Sequence, residues 1–139
     1  MDIRDYISRV ERNFSNNPLV ISFDFTEAII LETPNNRSQL KVRVSFFDSS
    51  YLDFCEIVES SKCFPQWINY EYQYVCAEGE VFRYDNKPHH RGVSTFPNHK
   101  HVAIDGRIIA SEKPSINNLL DEIRLILANP NPSNSIFNL

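Results

Sequence analysis

Apolar and polar residues alternate with a period of two along the middle of this chain, and any fold must accommodate that pattern. Leu40, Val42, Val44 and Phe46 alternate with Lys41, Arg43 and Ser45. Further on, Ile68, Tyr70, Tyr72 and Tyr74 alternate with Asn69, Glu71 and Gln73, and Phe82 and Tyr84 with Val81, Arg83 and Asp85. Successive side chains of a strand point to opposite faces, so each run reads as a strand with one face packed and one wet. Pro34-Asn35-Asn36, Asp48-Ser49-Ser50 and Ala77-Glu78-Gly79 supply the turns between them. The segments Leu19 to Phe25, Thr26 to Thr33 and Tyr51 to Val58 add further strand-like stretches. The tyrosine row at 70, 72 and 74 fits a packed sheet face better than a base-stacking platform.

Two amphipathic helices frame this meander. Ile3, Tyr6, Ile7, Val10 and Phe14 fall at helical spacing near the start, and Asn16-Asn17-Pro18 ends that helix. From Pro114 or Ser115 to Leu127, Ile116, Leu119, Leu120, Ile123 and Ile126 form a second apolar stripe, with Ser115 as its N-cap. The expected class is α+β: an N-terminal helix, an antiparallel meander of about five to six strands, a histidine-rich loop and a C-terminal helix packed on the sheet. Residues 1–127 are expected to form one domain. Residues 128–139, rich in Asn, Pro and Ser, should form a flexible tail.

Composition narrows the setting. With 139 residues and 42% hydrophobic content, the chain can bury a real core. No apolar run reaches the roughly 18 residues of a membrane span, and Met1-Asp2-Ile3-Arg4-Asp5 is no signal peptide. Cys55, Cys63 and Cys76 lack metal-knuckle spacing and read as reduced, core-filling thiols, so the expected compartment is the cytoplasm.

All four histidines fall between residues 89 and 101. The window from Arg83 to His101 also carries Arg83, Lys87, Arg91 and Lys100 against one acid, Asp85, although the whole chain has a net charge of −4. Imidazole exchanges protons near neutral pH, and Arg and Lys bind phosphate. An acidic chain is no general nucleic-acid coat, but a local cationic segment can grip nucleic acid at one site.

The blocks Phe82-Arg83-Tyr84-Asp85-Asn86-x-Pro88-His89-His90 and Thr95-Phe96-Pro97-x-His99-Lys100-His101, followed by Ser111-Glu112-x-Pro114 and a closing helix, resemble the TumE-type toxins. The resemblance covers about residues 67 to 127, and Arg91-Gly92 after His90 departs from it, since a neutral residue is expected there. It implies the toxin half of a bacterial or archaeal toxin–antitoxin pair, with a cognate antitoxin that carries a helix-turn-helix domain. It does not carry a reaction.

From residue types, the sharpest expectation is a metal-independent ribonuclease with no cofactor. Cleavage through the 2′-hydroxyl needs a base, an acid and cations for the charge building on phosphorus. His89, His90, His99, Lys100 and His101 are the candidate catalytic residues, and Arg83, Lys87 and Arg91 the phosphate binders. Asp85 would orient an imidazole through its Nδ1–H, and Tyr84 would stack on a base or assist proton transfer. If residues 98–102 are extended, His99 and His101 share a face and Lys100 takes the other.

Blander readings stand beside these. Asp85-Asn86 before Pro88 can simply form a turn, Arg83 can pair with Asp85 or Glu71, and Ser94-Thr95 can cap a turn or bind phosphate. A metal site built from His99-x-His101 with Asp85 or His89 is the rival chemistry, with Lys100 a poor neighbour for a cation. The rival function is a non-enzymatic module that clamps nucleic acid or a protein through the cationic loop. Phosphoryl or nucleotidyl transfer is weaker, as no glycine-rich phosphate loop exists. Expected partners are the antitoxin and RNA, with no membrane and a homodimer left open.

Overall fold

The structure is a computed structural model that describes residues 3–31, 37–60 and 66–129. Its element order is α1 (Ile3–Ser15), β1 (Ser22–Leu31), β2 (Arg37–Ser45), β3 (Tyr51–Glu59), β4 (Gln66–Cys76), β5 (Gly79–Asp85), β6 (His99–Val102), β7 (Arg107–Ala110) and α2 (Ile116–Ala128). The seven strands form one antiparallel sheet in sequence order, so every strand pairs with its chain neighbour. The α+β architecture therefore stands, with more strands than the alternation predicts. Two expected segments, Leu19 to Phe25 and Thr26 to Thr33, merge into the single strand β1, whose register shifts between Phe25 and Glu27. Such a bulge inserts an unpaired residue and breaks the alternation without ending the strand. The short β6 and β7 supply the rest.

Helix α1 carries Asp5 in its first turn and Arg12 in its last, the polarity its backbone dipole favours. Its apolar stripe buries Ile3, Tyr6, Val10 and Phe14. Helix α2 opens on a capping box. Ser115 Oγ accepts from the Asn118 backbone N–H, and the Asn118 side chain accepts from the Ser115 N–H. It buries Leu119, Leu120 and Ile123.

Both helices join one hydrophobic cluster with Leu40, Val42 and Val44 of β2, Leu52 and Phe54 of β3, Tyr72 and Tyr74 of β4 and Phe82 of β5. The tyrosine row is thus a packed face: Tyr70 and Tyr72 stack at 5.0 Å, and Tyr72 and Phe54 at 4.7 Å. Each large side chain buried there contributes about 1.5–3 kcal/mol.

One acid interrupts the apolar parity of β3. Glu56 accepts from the hydroxyls of Tyr6 and Tyr72, and from Trp67 Nε1 at 3.0 Å. The Lys113 ammonium lies 3.9 Å over the Trp67 ring. This buried node ties α1, β3, β4 and the approach to α2 together. Burial pushes the Glu56 carboxyl up, while the Lys113 charge and the three donors pull it down.

Because α1 and α2 lie on one face, no helix among the described residues covers the other face of the sheet. Cross-strand register places Lys41, Cys55, Glu71, Asp85 and His99 in one row there, and Arg43, Asp53, Gln73, Arg83 and His101 in the next. Cys55, expected in the core, instead sits half-buried on this open face, and Cys76 is partly buried against the core. Both are free thiols. Cys63, the turn at Pro34-Asn35-Asn36 and the tail beyond residue 129 lie outside the described residues. Among the described residues, no helix is long and apolar enough to cross a membrane.

Candidate functional site

The period-two geometry of β5 and β6 builds the site. Asp85 pairs directly with His99, and Arg83 with His101, so a carboxylate, a guanidinium and two imidazoles meet on the open face. The segment from Asn86 to Asn98 then folds over that face and adds His90. Its ring meets those of His99 and His101 edge-on at 4.8 and 5.4 Å, and the latter two lie 4.9 Å apart.

Three polar anchors hold this loop in place. Asn86 accepts from the Tyr70 N–H and donates to the Ile68 carbonyl, fixing the loop's start to β4. The Tyr70 hydroxyl donates to Asn98 Oδ1 at 2.7 Å, fixing its end. Thr95 Oγ1 donates to the Asn98 carbonyl and accepts from the Ser111 N–H, so Thr95 is a turn former.

Asp85 and His99 are each 1% exposed. Oδ1 of Asp85 accepts from the Lys87 N–H at 3.0 Å, which fulfils the turn reading of this residue, and lies 3.0 Å from His99 Nε2. Oδ2 lies 3.3 Å from His101 Nε2 and 3.3 Å from Arg83 Nε. The carboxylate therefore faces Nε2 of both rings, not the Nδ1 expected. His99 Nδ1 is instead 2.8 Å from the Pro97 carbonyl. A carbonyl only accepts, so that nitrogen carries a proton and Nε2 is the atom turned toward the carboxylate. Burial, with the Arg83 charge next, holds His101 below the ordinary histidine range, so it is neutral at pH 7.

Not every candidate joins this cluster. Lys100 takes the helix-covered face, where its ammonium is 2.6 Å from Glu122 of α2. Tyr84 shares that face and donates to the same carboxylate at 2.5 Å. Burial and the Glu122 charge push the Tyr84 phenol well up, so it is no acid at neutral pH. His89 is exposed on the loop surface, away from the trio. Lys87 pairs with Glu71 at 3.1 Å beside a shallow groove lined by Lys41, Cys55, Asn69 and Glu71. Arg91 is exposed and lies 5.7 Å over the Phe96 ring. Arg83 reaches Asp85 and Glu80 rather than Glu71, and its buried Nε makes no hydrogen bond among the described residues.

The sequence reading missed Asn86, Asn98 and Glu122. The first two lie inside the motif blocks but read as ordinary turn residues, and Glu122 sits on a helix 22 residues beyond Lys100. The assembled centre is thus His90, His99 and His101 with Asp85 and Arg83, a set able to exchange protons, bind an anion or ligate a cation.

No curated protein and no solved structure matches the chain. A family model described as Toxin TumE matches residues 10–128, from within α1 to the end of α2. That span holds the whole sheet and every residue of the histidine centre, and the chain belongs to the TumE toxin family.

Proposed function

We propose that this toxin arrests growth by cleaving RNA at the histidine centre on the open face of the sheet. The observation that carries the reading is the meeting of three imidazole rings, two of them within 3.3 Å of a buried carboxylate, beside the Arg83 guanidinium. Cleavage through the 2′-hydroxyl requires removal of its proton, stabilisation of the leaving 5′-oxygen and positive charge around phosphorus. Arg83, paired with Asp85, and the exposed Arg91, next to His90 in the chain, supply charge for the phosphate. Lys87 extends that charge toward the groove along β3 and β4, a path for a single strand. The partner that restrains the toxin is a cognate antitoxin, here proposed to carry a helix-turn-helix domain.

Exposure of Lys87 and Arg91 also fits a toxin that clamps RNA without cutting it. The two readings part on His90 and His101, which are less buried than His99. Purified wild-type chain should cut a mixed cellular RNA. His90→Gln and His101→Gln should bind that RNA with unchanged salt dependence but lose turnover by about 100-fold or more. Equal turnover in wild type and both variants would overturn the reading, as would binding with no turnover in the wild type.

A further inference from the structure

We propose that His90, His99, His101 and Asp85 bind a divalent first-row metal ion of the zinc type. The site is the one described above, and only the metal's use in RNA cleavage rests on that reading. Its occupancy is a separate property.

The first argument is spacing. One ring nitrogen from each of the three histidines lies within 4.8 Å of the others. Nε2 of His99 is 3.1 Å from Nε2 of His101, and the Asp85 oxygens lie 3.0 and 3.3 Å from these two atoms. Nitrogen ligands about 2.0–2.1 Å from a zinc-like ion sit about 3.3 Å apart at tetrahedral angles and about 3.0 Å apart at right angles. The separations among His99, His101 and Asp85 span those two values, and His90, within 4.8 Å on its surface loop, closes in by a turn of its side chain.

The second argument is proton placement. His99 Nδ1–H is taken by the Pro97 carbonyl, the backing that metal-bound histidines commonly have, and it fixes the tautomer. His99 Nε2 then faces both a carboxylate oxygen and a second imidazole nitrogen, each able to accept. A single proton can bridge one of these contacts. One cation at the centre satisfies all of them.

The third argument removes the objection raised by sequence. Lys100, between the two histidines, would repel a cation if it faced them. Its ammonium instead lies on the opposite face, paired with Glu122. Arg83 remains nearby, but its charge is shared by Asp85 and Glu80. Three imidazoles and one carboxylate favour zinc, iron, nickel or copper over magnesium or calcium, which prefer oxygen sets. With such an ion bound the trio holds metal and does not carry protons.

The test is titration of chelator-stripped, full-length protein with Zn2+ in competition with a chromophoric chelator. One ion per chain is expected, with Mg2+ failing to compete. His90→Ala, whose ring belongs to a surface loop, should stay folded by circular dichroism yet lose at least tenfold in affinity, as should Asp85→Asn. Replacement by Co2+ should give visible bands that change in His101→Ala. Folded wild-type protein that takes up no Zn2+, or a His90→Ala protein that binds it as tightly as wild type, would overturn the proposal. RNA cleavage by metal-free protein would overturn the metal's part in cleavage while leaving the ribonuclease. Zinc binding without RNA cleavage would do the reverse.

Discussion

Replacing Lys100 with methionine separates a positioning role from a catalytic one. In the structure its ammonium and the Glu122 carboxylate are 2.6 Å apart, with side chains only 17% and 15% exposed. Tyr84 donates to the same carboxylate at 2.5 Å, and the ammonium lies 5.1 Å from the Tyr84 ring. A charge-assisted hydrogen bond is worth about 1.5–3 kcal/mol, and removing one partner of a fully buried pair costs about 3–5 kcal/mol. This pair keeps some contact with water, so Lys100→Met should cost about 2–3 kcal/mol. With a urea slope of about 1–3 kcal/mol/M, the unfolding midpoint should fall by about 0.7–3 M. Glu122→Met should cost a similar amount. The double variant, which leaves no unpaired charge, should recover most of the loss, with a coupling energy of about 1–3 kcal/mol. At a temperature where Lys100→Met is still folded, RNA cleavage should stay within about tenfold of wild type, since the ammonium faces away from the histidines. A general acid or base would lose about 100- to 10,000-fold. A stable Lys100→Met protein with activity lost on that scale would refute the assignment, and so would a coupling energy near zero.

Other perturbations test the fold and the approach to the site. Tyr72→Phe removes a buried donor to Glu56 and should cost about 1.5–3 kcal/mol in urea unfolding, with an unchanged slope. Burial raises the Glu56 carboxyl, so folding favours its protonated form. Its contribution is complete below about pH 4.3 and is lost as pH rises through the raised folded value. Glu56→Gln should flatten that decline, and parallel pH profiles for the two proteins would contradict it. Gly106 adopts φ +72° in the β6–β7 turn, so Gly106→Ala should cost about 1–2 kcal/mol with RNA binding unchanged. Arg91→Gln should weaken RNA binding alike for all sequences and reduce its salt slope by about one.

How far the sequence could be read depends on what set each feature. Strands β2 to β5 were legible because one face is packed under helices, which enforces the period of two. Strand β1 was read as two segments because its bulge shifts the parity at Thr26. Strands β6 and β7 have only four residues each, too few to show a period. The shared face of His99 and His101 followed from parity alone, as did the turn of Lys100 to the opposite, helix-covered face. Parity also places Glu56 on the apolar face of β3, a visible signal of a buried acid. His90 was not separable from His89, because loop closure by Asn86, Thr95 and Asn98 decides which ring turns inward. Nor could the sequence show that Asp85 would face Nε2 atoms, since the Pro97 carbonyl claims the other side of His99.

The most direct test of the central claim is sequencing of RNA 5′ ends after brief induction of the toxin in cells. Wild type should arrest growth and create new 5′ ends at recurrent positions. A His99→Ala/His101→Ala variant accumulated to the same level should do neither. Growth arrest by the wild type without new 5′ ends would contradict the account, and so would an unchanged set of new ends in the double variant.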